Sequence, residues 1–406
     1  LFEEMSAQNV IPDTNTVNAH LSGCLRAGDV GDAHGVFAKM TQDWAAEPDF
    51  FTYKRQVQIL SRGLRMDALE DIFRKLETLA GQHEHESGDS GASQTASKAA
   101  LVWLHLHRGL SAALLGQWAL AAKSLQQVEA AGAAAAVAPE IHLTRSGDDS
   151  QASAVVSEDR GQHDFHLKGF QGEMTRLKSF LESRRVLPGD ACTVEQLPAP
   201  DLQSYFCKTC IFGAHTNAQG RKQLGVGSNQ AADESQQDTE ELAVRLVRSL
   251  ARTFGLDICV DLGLFTVASM EKRFRRRVRT EHLYWRKLFK SPKHDRSTAE
   301  DELKRKTGVR DLPVKLEICS GFGEWVVAQA KAEAGVANWA ALELRYDRCH
   351  NIFTRMVFEG VQNLAVLGGD ASQILPNHIS PDSVDHIFVN FPEPPQTNMT
   401  HGAESH

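Results

Sequence analysis

The chain has 406 residues, 42% of them hydrophobic, which is enough for two or three ordinary domains with buried cores. Its 44 Lys and Arg against 52 Asp and Glu leave a formal net charge of -8, so bulk attraction to nucleic acid is excluded and only local basic patches could serve that role. Seven unevenly spaced cysteines describe no disulfide framework and favour a reducing compartment, and no apolar run approaches the roughly 18 residues that span a bilayer.

The sequence opens at Leu1 inside a helical pattern and stops at His406 shortly after a motif, so both ends read as those of a fragment whose targeting peptide would lie upstream. Near the start, Phe2, Phe37 and Phe73 recur at offsets of 35 and 36 residues, and Pro12-Asp13 is echoed by Pro48-Asp49. A period near 35 predicts stacked helical hairpins. Thr16-Val17-Asn18 and Thr52-Tyr53-Lys54 open first helices, Ala27-Gly28 and Gly63-Leu64 break them, and Ala33, Phe37 and Met40 lie on one face of a second helix. A weaker hairpin is expected over 99–137, with Gly116, Trp118, Ala121, Leu125 and Val128 in the same phase.

The pattern over roughly residues 1–82 resembles the pentatricopeptide repeat, and the hairpin at 99–137 is also compatible with the related tetratricopeptide geometry. The resemblance implies a PPR-like all-α solenoid that reads single-stranded RNA, with Asn18 and Asp49 facing a base. A helical scaffold without any code is the alternative.

Residues 83–98 are polar and read as a linker, and 138–238 read as low-complexity and largely disordered, apart from a short helix at Phe170 to Glu182. Cys207-Lys208-Thr209-Cys210, with Cys192 and His215, has half the spacing of a zinc site; the alternative is an exposed or weakly packed thiol pair, and no metal is expected. Over 239–311 an amphipathic helix follows Asp238, and Ile258 to Phe265 suit a strand. From Glu271 to Arg310 there are 15 Lys and Arg against 6 Asp and Glu. Lys272, Arg273, Arg275, Arg276, Arg277 and Arg279, interleaved with aromatics that include Trp285, suit phosphate contact and base stacking. A solvated helix face with inward aromatics, or a localisation segment, would look the same.

The richest segment is 312–406. Val314 to Ile318 form a strand that runs into Cys319-Ser320-Gly321-Phe322-Gly323 and a helix, the first unit of a nucleotide-binding doubly wound sheet. Trp339 to Glu343 form a second strand, ending in an acid 22 residues after Gly321. There a carboxylate can accept both hydroxyls of a ribose. Asn363 to Leu367 form a third strand before Gly369-Asp370-Ala371, where an Asp commonly takes an adenine amine, and Val384 to Val389 a fourth before Asn390-Phe391-Pro392-Glu393-Pro394-Pro395.

These four elements resemble the bacterial-type tRNA (guanine-N7) methyltransferases. The resemblance implies an α/β Rossmann-like fold, here cut after the fourth strand, that binds S-adenosyl-L-methionine (SAM) and methylates guanine N7 in tRNA. It implies cofactor contacts at Glu317, Gly321, Gly323, Glu343, Asp370 and Glu393, and a catalytic role for Glu393. Cys319 replaces the first loop glycine of the family, Glu393 its Asp and Pro395 its Trp. A catalytically impaired RNA-binding adaptor that retains the SAM fold is therefore the second expectation, and a chain end set by a faulty gene model the third. The partners implied are tRNA or another RNA and no membrane, and the repeat resemblance favours a plastid or mitochondrial address.

Overall fold

A computed structural model describes residues 2–44, 46–82, 91–131, 170–186, 197–212, 242–254, 266–279, 281–289 and 312–390. The helical hairpins come first: α1 (Phe2–Ala7), α2 (Thr14–Ala27), α3 (Val30–Gln42), α4 (Phe50–Arg62), α5 (Met66–Gln82), α6 (Gly91–Leu114) and α7 (Trp118–Ala131). Their starts follow capping chemistry. Asp13 and Asp29 accept backbone N–H groups at the heads of α2 and α3, and Asp49 and Thr52 close a reciprocal capping box on α4. Gly28 ends α2 in the left-handed conformation at φ 69°, and its N–H bonds to the Cys24 carbonyl. The segment at 91–98, expected to be linker, is the first part of α6.

The middle of the chain contributes more order than its composition suggests. The helix expected at Phe170 to Glu182 is present at 170–183 (α8), and α9 (Leu202–Phe206) and strand β1 (Thr209–Ile211) also lie in the stretch expected to be largely disordered. Phe170, Leu177, Phe206, Cys207 and Cys210 are fully buried there. Apolar side chains spaced at helical intervals in a polar background are enough to anchor such segments on a larger core. Then follow α10 (Leu242–Phe254), α11 (Val267–Arg275), a short antiparallel hairpin of β2 (Val278–Arg279) and β3 (His282–Leu283), and α12 (Trp285–Leu288). The strand expected over Ile258 to Phe265 lies outside the described residues.

The last elements alternate: β4 (Val314–Ile318), α13 (Glu324–Ala332), β5 (Asn338–Glu343), α14 (Tyr346–Glu359), β6 (Leu364–Gly368), α15 (Ala371–His378) and β7 (His386–Val389). Strands joined by helices must run parallel, and their buried faces favour the near-continuous apolar runs seen in β5 and β6. The sheet order is β1-β6-β5-β4-β7, with every pairing parallel. The four expected strands are present, and a fifth joins them from far upstream. Thr209, Cys210 and Ile211 pair with Val366, Leu367 and Gly368, and so cover the edge of β6. An edge strand left open would offer unpaired backbone groups to other chains.

β1 joins this sheet from a segment that lies before the unit expected to begin at residue 312. Phe50, Leu104, Phe206, Leu246, Leu316, Phe353 and Leu367 belong to one continuous core, so helical arm and sheet share an interior. A smaller cluster, including Val17, Leu21, Ala33, Met40 and Ile59, holds the first hairpins together. Several contacts tie the two halves. The Phe180 and Phe358 rings stack at 4.3 Å and Phe206 stacks on Phe353 at 4.7 Å, while the Trp118 indole N–H ties the arm to the middle segment by donating to the Leu197 carbonyl at 2.9 Å. Gly28 approaches so closely that a Cβ there would sit 3.0 Å from the Thr253 methyl and 3.3 Å from Tyr346 Cβ.

Where α4, α6, α8 and α14 meet, a cavity with room for about one water is lined by Arg62, His107, Glu173, Arg176 and His350 among others. His107 Nε2, Arg62 Nη1 and Glu173 Oε2 are buried there with no hydrogen-bond partner among the described residues, although His107 Nε2 and Glu173 Oε2 lie 3.8 Å apart. Burial holds the His107 imidazole down to about 4, and His350 is lowered as well. Both rings are neutral in the fold but protonate near 6.5 once unfolded, so the unfolded state binds more protons on acidification.

Two outcomes test this architecture. Stability is expected to fall as pH drops from about 6.5 towards 4. His107 alone would account for a loss of the order of 2 kcal/mol at pH 5, measured by urea unfolding at pH 7 and pH 5. Phe206→Ala should cost about 3–5 kcal/mol in the same assay. It should also lower the midpoint of helical and sheet signals together, because the ring lies in their common core.

Candidate functional site

Parallel strands bring their carboxyl ends to one side, and the register shows how well these align. Ile318 pairs with both Leu342 and Val389, while Glu343 pairs with Gly368, itself opposite Ile211. In open α/β sheets ligands bind along that edge. Glu317, Glu343 and Asp370 stand on it at the ends of three adjacent strands.

The loop after β4 is built around backbone that most residues avoid. Cys319, Gly321 and Gly323 all have positive φ, at 61°, 56° and 79°. At Gly323 a Cβ would strike Ile352 Cγ1 at 2.7 Å, so glycine there lets loop and α14 close together. At Gly321 nothing lies within 4 Å of the Cβ position, and the space beside that backbone is open to an approaching group. Helix α13 starts directly from Gly323 without a side-chain cap, so its first-turn N–H groups are not used by a capping residue. Cys319 is exposed and takes the left-handed conformation that a glycine would adopt without strain.

Glu343 organises this loop. Its Oε2 accepts the Gly321 N–H at 2.8 Å and its Oε1 accepts the Arg345 N–H at 3.0 Å, with the Arg348 guanidinium 3.9 Å away. Burial pushes its carboxyl up, opposed by those N–H groups and by Arg348. Glu317 is 2% exposed. Its Oε1 accepts from Asn390 Nδ2 at 2.9 Å, while Oε2 is buried with no partner among the described residues. Burial also raises the Glu317 carboxyl; Asn390 and Ser320 pull it down, and Glu343 raises it further. Asp370 caps α15, accepting the Ser372 N–H at 2.9 Å, and remains partly exposed.

Glu317, Gly321, Gly323, Glu343 and Asp370 therefore gather at one end of the sheet. Glu393 and Pro395 lie outside the described residues. Asn390, quoted in the sequence only as part of Asn-Phe-Pro, had no role assigned from sequence. Its place at the end of a fourth parallel strand was the signal that it would reach the same edge.

The expected RNA contacts are distributed differently. The Asn18 amide donates to Asp49 at 3.0 and 3.2 Å, and Asp49 is also the cap of α4, so the two meet each other across the hairpin. In the basic segment, Lys272, Arg275 and Arg276 are exposed and Arg273 is half-buried. Arg277 is instead fully buried, donating to the Arg273 carbonyl at 2.9 Å, and Trp285 is buried with its indole N–H on Ser383 at 3.1 Å. Neither presents itself to a base. A short segment this rich in charge cannot turn every side chain to water once its helix packs against α10, and Phe274 and Leu288 go inward as well. Arg279 has a described backbone in β2 only.

The Cys207 and Cys210 thiols are neither exposed nor weakly packed. Both are fully buried, Cys210 inside β1 and Cys207 with its sulfur 4.0 Å from that of Met270. Burial pushes Cys210 up to about 12 and raises Cys207, and among the described residues no group of three potential metal ligands includes either sulfur. Cys192 and His215 lie outside the described residues.

A family model described as "Putative methyltransferase" matches residues 311–401. The chain is 44% identical over 84 residues to the tRNA (guanine-N(7)-)-methyltransferase of Chlamydia felis, covering 21% of this chain and 37% of that protein. Its counterpart in Chlamydia trachomatis is 43% identical over 82 residues, 20% and 36% of the two chains, and that of Klebsiella pneumoniae subsp. pneumoniae is 36% identical over 85 residues, 21% and 35%. The chain spans little more than a third of the length of the curated relatives it matches. The C-terminal sheet, with its three aligned carboxylates, is thus a methyltransferase-type domain, and the helical arm and β1 fall outside the matched residues.

Proposed function

We propose that this chain is a SAM-dependent tRNA (guanine-N7)-methyltransferase whose helical arm, a pentatricopeptide-like array, helps hold the RNA. The observation that carries the reading is the set of Glu317, Glu343 and Asp370 on adjacent strand ends around an open glycine loop. Similarity to the curated tRNA enzymes over the same residues supports the substrate.

The donor set suits the cofactor. The unpartnered Glu317 Oε2 is a buried acceptor that fits a cationic amino group. Glu343 can accept ribose hydroxyls while keeping its loop bonds, and Asp370, partly exposed beside β6, is placed for the adenine amine. Bound there, SAM supplies an activated methyl group. Guanine N7 carries a free lone pair, so no base is needed to deprotonate it. What the protein must do is align N7 with the methyl and stabilise the positive charge that develops on the base. The resemblance assigns that carboxylate role to Glu393, three residues after Asn390 in the sequence. Lys272, Arg275 and Arg276, exposed on α11 and just after it, are suited to RNA phosphates. Asn18 and Asp49 are the residues through which the arm would meet a base. A plastid or mitochondrial address belongs to the same reading.

Glu393 and Pro395, which depart from the family's Asp and Trp, favour a second reading, an RNA-binding adaptor that keeps the cofactor fold without turnover. One experiment separates the two. Incubation of the chain with unmodified tRNA and methyl-labelled SAM should yield N7-methylguanosine, detected by nucleoside chromatography. Cofactor and tRNA binding without any labelled nucleoside would leave the adaptor instead.

The site itself has a sharper test. Glu343→Ala removes two loop hydrogen bonds and the ribose acceptor together, and should weaken SAM affinity by about 10- to 100-fold in calorimetry, the range of one or two charge-assisted hydrogen bonds. An unchanged affinity would remove Glu343 from the cofactor site.

A further inference from the structure

The first hairpin holds a group of side chains that neither the sheet nor the RNA reading uses. His20 and Cys24 stand one turn apart on α2, and Asp32 lies at the head of α3, which folds back against it. His20 Nε2 is 2.7 Å from Asp32 Oδ2, and Cys24 Sγ is 3.5 Å from the same oxygen. The three potential ligand atoms lie within 4.8 Å of one another.

A tetrahedral zinc ion takes Cys sulfur at about 2.3 Å and His nitrogen or carboxylate oxygen at about 2.0–2.2 Å, which sets its donor atoms roughly 3.3–3.6 Å apart. The sulfur–oxygen distance already matches, and the nitrogen–oxygen pair would need to open by about half an ångström. That movement exchanges the shared proton for the metal.

The surroundings are those of a prepared site rather than of a loose surface pair. Asp29 Oδ1 accepts the Asp32 N–H at 3.1 Å and so fixes the start of α3. The Phe2 ring packs edge-on against His20 at 4.8 Å and touches Trp44 at 4.9 Å, walling one side with apolar surface. Cys24 is buried, His20 is partly exposed and Asp32 faces water, which leaves an entry path and a fourth position for a water molecule. One thiolate and one carboxylate balance a dication, and the mixed sulfur, nitrogen and oxygen set selects the borderline metals over calcium or magnesium.

We propose that His20, Cys24 and Asp32 bind one zinc-class divalent cation, which clips α2 to α3 in the first complete hairpin of the arm. Such a clip would order the arm independently of SAM, so it stands whether or not methyl transfer is observed.

The test uses the whole 406-residue chain, freed of metal with a chelator and titrated with Co(II). A near-ultraviolet thiolate-to-cobalt band saturating at one equivalent, and displaced by Zn(II), is expected. Cys24→Ser should abolish the band, and Asp32→Asn should weaken cobalt affinity by about 10-fold or more. His20→Gln, at a partly exposed position that the fold tolerates, should weaken it to a similar degree if the serine variant does not fold. Absence of the band in the parent chain, or a band of equal strength in Cys24→Ser, or unaltered affinity in His20→Gln, would overturn the site.

Discussion

A parallel sheet cannot stand alone. Its strands have no hairpin partners, both faces are apolar, and each outer strand exposes a row of backbone donors and acceptors. In this chain part of the requirement is met from outside the nucleotide-binding units, with β1 and β7 as the outer strands of the described sheet. Ile211 and its neighbours close the β6 edge, and α9 and α10 bring Phe206 and Phe254 against Phe353 on α14. Lys208, just ahead of β1, secures the arrangement by donating to the Gln362 carbonyl at 2.8 Å and to its side-chain oxygen at 2.6 Å. Burial lowers this ammonium to about 8, so its two acceptors matter to keeping it charged at neutral pH. Once that edge is closed, the carboxyl ends of β4, β5 and β6 are held in register and the three carboxylates share one side.

The same constraint links the arm to the sheet. Helices α4 and α6 share a core with α14, and the α2 to α3 turn at Gly28 meets Thr253 and Tyr346. Tyr346 is also the first residue of α14, directly after the Glu343-Leu344-Arg345 turn that carries two of the site's hydrogen bonds. A displacement of the first hairpins therefore bears on the backbone next to Glu343. The arm and the cofactor end of the sheet are thus joined through packing rather than through a flexible tether.

The sequence made the local logic of the C-terminal units legible. Apolar runs of strand length, each bounded by a glycine turn, an acid or the Asn-Phe-Pro run, located β4, β5, β6 and β7 within a residue or two, and the helical period located the hairpins. What it concealed was long-range. Cys207-Lys208-Thr209-Cys210 has metal-site spacing, and nothing local says that it is an edge strand whose partner lies more than 150 residues away. Arg277 and Trp285 read as nucleic-acid contacts because charge and aromaticity are read per residue, whereas packing turns both inward, Arg277 onto the Arg273 carbonyl and Trp285 onto Ser383. In the same way, the ordered segments within 138–238 are few apolar residues in polar company, and only a pre-existing core makes them fold.

Glu317 shows where the fold yields to the site. Its ordinary carboxyl would protonate near 4.5, and burial raises that value in the folded protein. Between the two values the folded state holds the extra proton, so the contribution to stability is complete below the unfolded value and is lost as pH rises through the folded one. In the native protein this carboxyl is 2% exposed, with one oxygen on Asn390 and the other without a hydrogen-bond partner among the described residues. A buried acceptor without a partner is a cost of about 1–3 kcal/mol, larger when it is charged. A core built for stability would place a leucine or a glutamine there. A ligand with a cationic group reverses the balance, because the same low-dielectric setting that penalises the bare carboxylate strengthens its attraction for a positive charge.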